Sequence, residues 1–220
     1  MWVRAFLMEG DMFGHARFLT ICATFAFFTG NAFAQEVAPS HEFFPTAVGT
    51  QWVYRSGVVE VLERVTAHER VGDDICARVE SILNGKVVSF EHIAVRPDGV
   101  YRVAVAGQPV NPPFRFAKFP PKLNDRWEVN SAVLGQAIKG SFVTGQAAVK
   151  VPAGEFQTLT TTGTGFKVQE SDLSFTYHFA KGVGKVKQLT TIGGAGGKEV
   201  VLELKEFHTP QQAAVGNVPR

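Results

Sequence analysis

The chain lacks a surplus of charge of either sign and contains little cysteine. Its 220 residues carry 22 Lys and Arg against 20 Asp and Glu, which gives a net charge of +2. Nucleic-acid-binding proteins usually concentrate basic residues, so this balance argues against a nucleic-acid partner. Because 45% of the residues are hydrophobic, the composition also excludes a disordered or low-complexity chain, and a folded protein is expected.

The apolar run near the N-terminus is too short to cross a membrane as a helix. Residues 18–28 (FLTICATFAFF) fall short of the ~20 residues that a span needs. The run follows a basic residue and leads to Ala32-Phe33-Ala34, an A-x-A cleavage pattern. This order predicts a secretory signal peptide over residues 1–34. Acidic residues early in the segment are unusual in a signal, so Met12 is an alternative start to Met1.

The signal and the cysteines together predict an exported chain without a disulfide. Ile21 stands before Cys22 where a lipoprotein signal has a small residue, so lipid anchoring is not expected. The mature chain, from Gln35, keeps one cysteine, Cys76, and cannot form an intramolecular disulfide. Cys76 lies in an apolar strand-like run and is interpreted as a small core residue. The predicted location is periplasmic or extracellular, since both use the same signal, with no transmembrane span after cleavage.

No part of the mature chain has the pattern of a long helix. Runs rich in β-branched and aromatic residues recur instead, and each ends at Gly, Pro, Asn or Asp. Asn84-Gly85 is the strongest turn signal and predicts a two-residue hairpin that joins 75–83 to 86–95. In the run that starts at Val59, Leu62 and Glu63 break the alternation, so this strand is expected to be bulged or covered on both faces.

Consecutive hairpins form a meander, which gives the fold prediction. We expect an all-β domain over residues 44–207, built as one strongly curved antiparallel meander of roughly ten strands or as a partly open β-barrel. A two-sheet β-sandwich is the alternative. Residues 35–43 are assigned to an N-terminal leader, and residues 208–220 to a disordered tail.

One proline-rich segment interrupts the predicted meander. Residues 111–122 (NPPFRFAKFPPK) contain four prolines, which cannot donate in a central ladder. We interpret the segment as an extended crossing whose Phe114, Phe116 and Phe119 plug one end of the sheet. These three phenylalanines are also candidate ligand-binding residues. A basic-aromatic strip for single-stranded nucleic acid is disfavoured by the predicted export and by the neutral charge balance.

Three motifs resemble those of a group of uncharacterised secreted proteins common in planctomycetes and other bacteria. Residues 44–54 are similar to an FP-x-x-x-G-x-x-W-x-Y opening, residues 149–156 to V-x-V-P-A-G-x-F, and residues 177–187 to Y-x-F-A-x-G-V-G-x-V-K. The resemblance implies a β-rich exported fold and transfers no catalytic or binding residue. The motifs also have structural explanations. Trp52 and Tyr54, two positions apart, are expected to anchor the core from one face of a strand.

The residue patterns of common catalytic and metal sites are missing. The five histidines of the mature chain form no H-x-H or H-E-x-x-H pair, and C-x-x-C and G-x-S-x-G motifs are absent, so no metal, cofactor or catalytic residue is predicted. Glu91 and His92 are adjacent and should point to opposite faces of a strand, so they cannot act on one substrate. His178, on the polar face of its strand, is the remaining candidate for a ligand contact.

Two functions of different classes remain. The first is a non-catalytic binding or carrier module whose curved sheet accepts a lipid, another hydrophobic small molecule or an envelope protein. Aromatic residues in excess of what a thin sandwich requires favour it. The second is a structural or interaction domain of the cell envelope with a filled core, and an enzyme is third. The interior decides between the first two, since a carrier needs space there.

Overall fold

A computed structural model describes residues 36–168, 171–194 and 196–211. The predicted signal peptide with its cleavage pattern lies outside these residues, as do positions 212–220 of the predicted tail. Twelve strands follow one another: β1 (Gln51–Ser56), β2 (Val59–Val71), β3 (Asp74–Leu83), β4 (Lys86–Arg96), β5 (Gly99–Val105), β6 (Gln108–Lys118), β7 (Arg126–Val133), β8 (Gln136–Val151), β9 (Gly154–Val168), β10 (Ser171–Ala180), β11 (Gly184–Ile192) and β12 (Lys198–His208).

The strands form a closed antiparallel barrel. Each strand pairs with the next along the chain, and β12 returns to pair with β1. The predicted all-β class and the curved antiparallel meander are confirmed. The meander has twelve strands rather than about ten, and it curls until its first and last strands meet instead of remaining open. It does not divide into the two sheets of a sandwich.

The predicted Asn84-Gly85 hairpin is confirmed. Both residues adopt positive φ, 50° and 75°, the geometry of a type I′ turn whose twist matches the flanking strands. Two further turns after odd-numbered strands, Ala106-Gly107 and Leu134-Gly135, have the same pair of positive φ angles. We call the end of the barrel that carries the turns after odd-numbered strands the rim, and the opposite end, where β1 begins and β12 ends, the base.

The proline-rich segment differs from the prediction because it belongs to the barrel. Most of it lies in strand β6, which pairs with β5 through residues 108–109 and 114–118. Against β7, only Asn111 and Ala132 pair. Prolines cannot donate to a ladder, and the β6–β7 border is where backbone pairing is sparse. The segment is therefore a strand with one poorly paired edge, not a crossing outside the meander.

Side-chain hydrogen bonds replace some of the backbone hydrogen bonds that are missing beside β6. Trp127 Nε1 donates to the carbonyl oxygen of Arg115 at 3.0 Å. Thr161 Oγ1, from the inward face of β9, donates to the carbonyl oxygen of Phe116 at 2.8 Å. These bonds satisfy carbonyl groups that would otherwise lack a partner in a buried position.

The chain before β1 covers the base. The His41 ring stacks on Phe119 with centroids 3.7 Å apart, and Phe44 packs 6.1 Å from Phe116 and 6.5 Å from Trp52. The backbone nitrogen of Gly182, in the turn after β10, donates to the Glu42 carbonyl oxygen at 2.7 Å. Residues of the predicted leader thus pack on the barrel. At the other terminus, β12 extends to His208, the first residue of the predicted tail.

Candidate functional site

The interior of the barrel is buried near the base and partly accessible near the rim on the side of β10, β11 and β12. Trp52 and Phe179, close to the base, are 3% and 1% exposed. Phe175, Thr190 and Val200 face inward closer to the rim and are only half-buried. The interior is therefore partly accessible from the rim on this side, whereas Val133 and Ile138, which face inward near the rim on β7 and β8, are buried.

One wall of this interior is aromatic. It is formed by inward-facing rings of β6, β8, β9 and β10, namely Phe114, Phe116, Phe142, Phe166, Phe175, Tyr177 and Phe179. Ring centroids are 5.1 Å apart for Phe142 and Phe166, and 5.3 Å apart for Phe166 and Phe175. These separations are within the range of favourable aromatic pairs. The wall offers a continuous apolar surface.

Two inward-facing glycines make room for these rings. A Cβ on Gly140 would lie 2.6 Å from the Phe166 ring, and a Cβ on Gly163 would lie 2.5 Å from the Phe142 ring. Both distances are below any tolerable carbon contact. Glycine is needed at these positions because the phenylalanine rings lie flat against the strand backbone.

A polar cluster shares the interior with this wall. Lys185 Nζ lies 2.9 Å from Glu63 Oε1 and donates to Gln188 Oε1 at 3.2 Å. The same ammonium lies 4.9 Å from the centroid of the Tyr54 ring, a cation–π contact. Burial, together with the nearby Glu63 carboxylate, raises the pKa of the Tyr54 phenol well above its usual value, so this phenol stays neutral.

A second ion pair completes the inner polar cluster, which consists of Glu63, Glu91, Arg102, Tyr177, Lys185 and Gln188. Arg102 Nε lies 2.9 Å from Glu91 Oε2, and its guanidinium lies 5.6 Å from the Phe116 ring centroid. Burial alone would lower the pKa of Arg102, but Glu91 and a hydrogen bond with Tyr177 raise it, so the cation persists. Burial raises the pKa of Tyr177, so its phenol is neutral.

The cluster is balanced in charge and remains in contact with accessible space. It holds two cations and two carboxylates. The side chains of Glu91 and Arg102 keep 25% and 19% of their surface exposed, and those of Lys185 and Glu63 keep 15% and 10%. Such a site can exchange hydrogen bonds with the polar group of a ligand whose apolar part lies on the aromatic wall.

The structure brings together two of the four residues singled out in the sequence. Phe114 and Phe116 face the interior, where both rings lie near the Arg102 guanidinium. Phe119 lies at the base, stacked on His41. His178 points away from the interior, and its Nδ1 lies 3.3 Å from Thr158 Oγ1.

Sequence reasoning did not single out the charged residues of the inner polar cluster. The sequence marks Glu63 as unusual, because it breaks the alternation of apolar and polar residues in β2. Its side chain faces the interior. The opposite orientation predicted for Glu91 and His92 agrees with the pairing, in which Glu91 lies beside Val79 and His92 beside Arg78. Arg102 is a single cation among apolar neighbours in the sequence. This pattern does not show whether its side chain points into the barrel or toward the surface.

The outer face of the barrel holds a buried thiol. Cys76 is fully buried among Ala94, Tyr101 and Val103, as expected of a small core residue. Burial, followed by the charge of Asp74, raises the pKa of Cys76 to about 12. The thiol is therefore protonated at neutral pH and is a poor nucleophile.

An open cleft of about 510 Å³ lies near the rim, beside β9, β10 and β11. Its lining residues are Gly165, Phe166, Asp172, Leu173, Ser174, Thr191 and Gly194. Among the described residues, no group of three or more His, Cys, Asp or Glu side chains is placed to hold a metal ion. Within the same part of the chain, no helix has the length and apolar character of a membrane span.

Comparisons with known proteins add little. No protein-family profile and no curated protein matches the chain, so the resemblance of its three motifs stays a prediction. A crystal structure from Parabacteroides distasonis, described as a "putative lipoprotein", is similar at 12% identity and a TM-score of 0.39. It covers 77% of this chain and 100% of its own. At this level of similarity nothing about function is transferred.

Proposed function

We propose that the protein is an exported, non-catalytic carrier that holds a hydrophobic small molecule of lipid type inside its barrel. The observation that carries the proposal is the combination of an aromatic wall and a partly accessible polar cluster in one interior that opens at the rim. Ligand sites are typically apolar concavities with a few convergent polar groups, and barrel mouths are common places for them.

The size of the barrel supports an internal ligand. Barrel diameter grows with strand number, and eight strands already enclose enough space for one small ligand. This barrel has twelve strands, so it is wider than an eight-stranded one. The two ion pairs also support a polar environment inside the barrel. Burial of two ion pairs in a core without water would be costly.

The geometry suggests how such a ligand would lie. Its apolar part would pack against Phe142, Phe166 and Phe175, and its polar group would reach Arg102 or Gln188. All members of the inner polar cluster can form hydrogen bonds with a ligand. This arrangement suits reversible binding of the ligand.

Binding of cis-parinaric acid, a fluorescent fatty acid, tests the proposal. Thr190→Trp places a bulky ring inside the barrel between the rim and Gln188, which donates to Thr190 Oγ1 at 3.3 Å. Thr191→Trp is a matched control on the next residue, which pairs with Ser174 and faces outward. We expect the wild type and Thr191→Trp to bind the probe, and Thr190→Trp to bind at least tenfold more weakly with its melting temperature retained.

Other outcomes have defined meanings. Loss of binding in Thr191→Trp alone would place the ligand in the cleft beside Thr191 and contradict a site at the inner polar cluster. Absence of probe binding by the wild type, together with no co-purifying small molecule in native mass spectrometry, would contradict carriage. Export is tested separately, by N-terminal sequencing of protein recovered outside the cytoplasm, which should begin at Gln35.

A structural or interaction domain of the cell envelope is the second candidate. The packing of Phe142 and Phe166 against Gly163 and Gly140 favours it, since this half of the interior is filled by protein. That function predicts no probe binding and no effect of Thr190→Trp on interactions at the outer surface.

A further inference from the structure

We propose that the rim docks on an anionic lipid surface. Four successive rim turns, from the β1–β2 turn to the β7–β8 turn, expose an apolar side chain at or beside the tip. Val58 is fully exposed, Val87 and Leu134 are 52% and 40% exposed, and Ala106 is also exposed. Hydrophobic side chains exposed together at one end of a protein often mark an interaction surface.

The turns themselves do not favour these apolar residues. Leu134 has φ 48°, a left-handed conformation that Asn, Asp and Gly adopt more readily than Leu. Asn84 occupies the same position of the β3–β4 turn with φ 50°. Val58 follows Gly57 in another two-residue turn, where polar residues are the usual choice. Leucine at position 134 is therefore unfavourable for the turn.

Lysines accompany the apolar residues. Three exposed lysines lie near the rim ends of β4, β8 and β12, namely Lys86, Lys139 and Lys198. They form no ion pair within the described residues. The rim also carries Lys167, which is paired with Asp172 at 3.3 Å.

The positive charge of these three lysines is available to an anionic partner. Glu199, beside Lys198, is the one acidic rim residue without an ion pair in the described part of the chain. Three unpaired lysines outnumber it. A lysine close to an anionic lipid surface contributes roughly a fivefold gain in binding.

The arrangement fits a lipid surface better than a protein partner. The apolar residues occupy four separate turns instead of forming one contiguous face, and the lysines lie beside two of these turns and at the β11–β12 turn. Side chains distributed in this way can each enter the headgroup region while the ammonium groups meet lipid phosphates. The proposed surface does not depend on the barrel holding a ligand.

Flotation with lipid vesicles tests the docking surface. The purified protein is mixed with vesicles of phosphatidylcholine containing phosphatidylglycerol, and separately with pure phosphatidylcholine. We expect flotation with the anionic vesicles that weakens at high salt. The double variant Val58→Ser/Leu134→Asn should reduce the bound fraction at least fivefold. Replacing Lys86, Lys139 and Lys198 by Gln should weaken binding by roughly fivefold for each lysine.

A matched control is available at the base. Leu123 is 65% exposed and follows an exposed lysine, Lys122, in the β6–β7 connection. Lys122→Gln/Leu123→Asn should bind vesicles as the wild type does. The melting temperature of Leu134→Asn should not fall, because Asn suits the turn, so loss of flotation cannot be assigned to unfolding. Binding of cis-parinaric acid without vesicles should also be unchanged in the rim variants, which separates docking from carriage.

Three results would overturn the docking proposal. One is absence of flotation with anionic vesicles. Another is an equal loss of binding in the base control, which would indicate general charge attraction. The third is a concentration-dependent dimer, seen by light scattering and removed by Val58→Ser/Leu134→Asn in a protein that does not bind vesicles, which would assign the rim to a second copy of the chain.

Discussion

Lys185 and Glu63 join two strands that are not neighbours in the barrel. Their Nζ and Oε1 atoms lie 2.9 Å apart, although β12 and β1 separate β11 from β2 in the sheet. Tyr54 of β1 lies between them, and its hydroxyl donates to the Lys185 carbonyl oxygen at 2.8 Å. The pair therefore links the sheet from inside, across the strands at which the barrel closes.

Removal of one member of this pair should destabilise the protein strongly. Glu63→Ala leaves the Lys185 ammonium in the interior without its carboxylate partner. We expect the free energy of unfolding, measured in urea, to fall by about 3 kcal/mol. The double variant Glu63→Leu/Lys185→Met should lose less, because no uncompensated charge remains.

An outer ion pair provides the comparison. Arg55 is 51% exposed at its side chain and pairs with Glu203 at 3.2 Å. Arg55→Ala should cost no more than about 1 kcal/mol, as is usual for an exposed pair. A Glu63→Ala loss as small as that of Arg55→Ala would show that solvent screens the inner pair.

Trp52 should be a principal support of the core near the base. Its ring is 3% exposed, and its Nε1 donates to the Val183 carbonyl oxygen at 2.6 Å. Trp52→Ala should lower the free energy of unfolding by about 3–5 kcal/mol, because a large cavity remains. Trp52→Phe keeps much of the packing and should cost less. An unchanged melting temperature in Trp52→Ala would contradict the buried position.

Gly163→Ala should be destabilising although it adds only one methyl group. The new carbon would lie 2.5 Å from the Phe142 ring and 2.8 Å from Phe166, so the rings must move. We expect a loss of about 1–3 kcal/mol in thermal or urea unfolding. With Phe142→Leu in the background, the added methyl group should cost less. Thr162→Ala, on the neighbouring outward position, serves as the control and should change stability little.

His178 should make stability depend on pH. Burial lowers its pKa, and the charge of Lys187 lowers it further. The unfolded chain, in which the histidine pKa is about 6.5, then binds a proton at pH values where the folded protein does not. The resulting stabilisation is complete above this value and is lost as pH falls through the folded pKa.

The urea midpoint measured between pH 7.5 and 5 checks this dependence. It should fall with pH in the wild type and fall less steeply in His178→Gln. Burial lowers the pKa of His41 as well, so the variant should reduce the slope without abolishing it. His208→Gln, on the exposed end of β12, is the control. A slope that is identical in wild type and His178→Gln would refute the assignment.

The sequence predicted local features of the fold well because their causes are local. Asn84-Gly85 adopts its turn through the conformational freedom of those two residues, and Trp52 and Tyr54 share a face because strands alternate. Strand β6 was predicted to be a crossing outside the meander because it contains prolines. Its edge toward β7 is completed by Trp127 and Thr161, which lie at a distance along the chain.

The inner polar cluster depends on contacts that no local pattern encodes. Glu63 and Lys185 are 122 positions apart, and they meet only because the barrel closes. An alternation break at Glu63 indicates that something unusual occurs there, but it does not identify the partner. His178 was expected on the polar face of its strand, and the register of β10 places its side chain there, away from the interior.

Closure between β1 and β12 has a consequence for how the chain matures. The ladder that completes the barrel brings together residues as distant as Arg55 and Glu203, 148 positions apart. Such pairing forms late, because the whole intervening chain must first be ordered. Until β12 has been synthesised and docked, β1 and β11 each present an unpaired strand edge, and such edges readily capture strands of other chains. Shielding of these two edges in the nascent protein should therefore limit its aggregation.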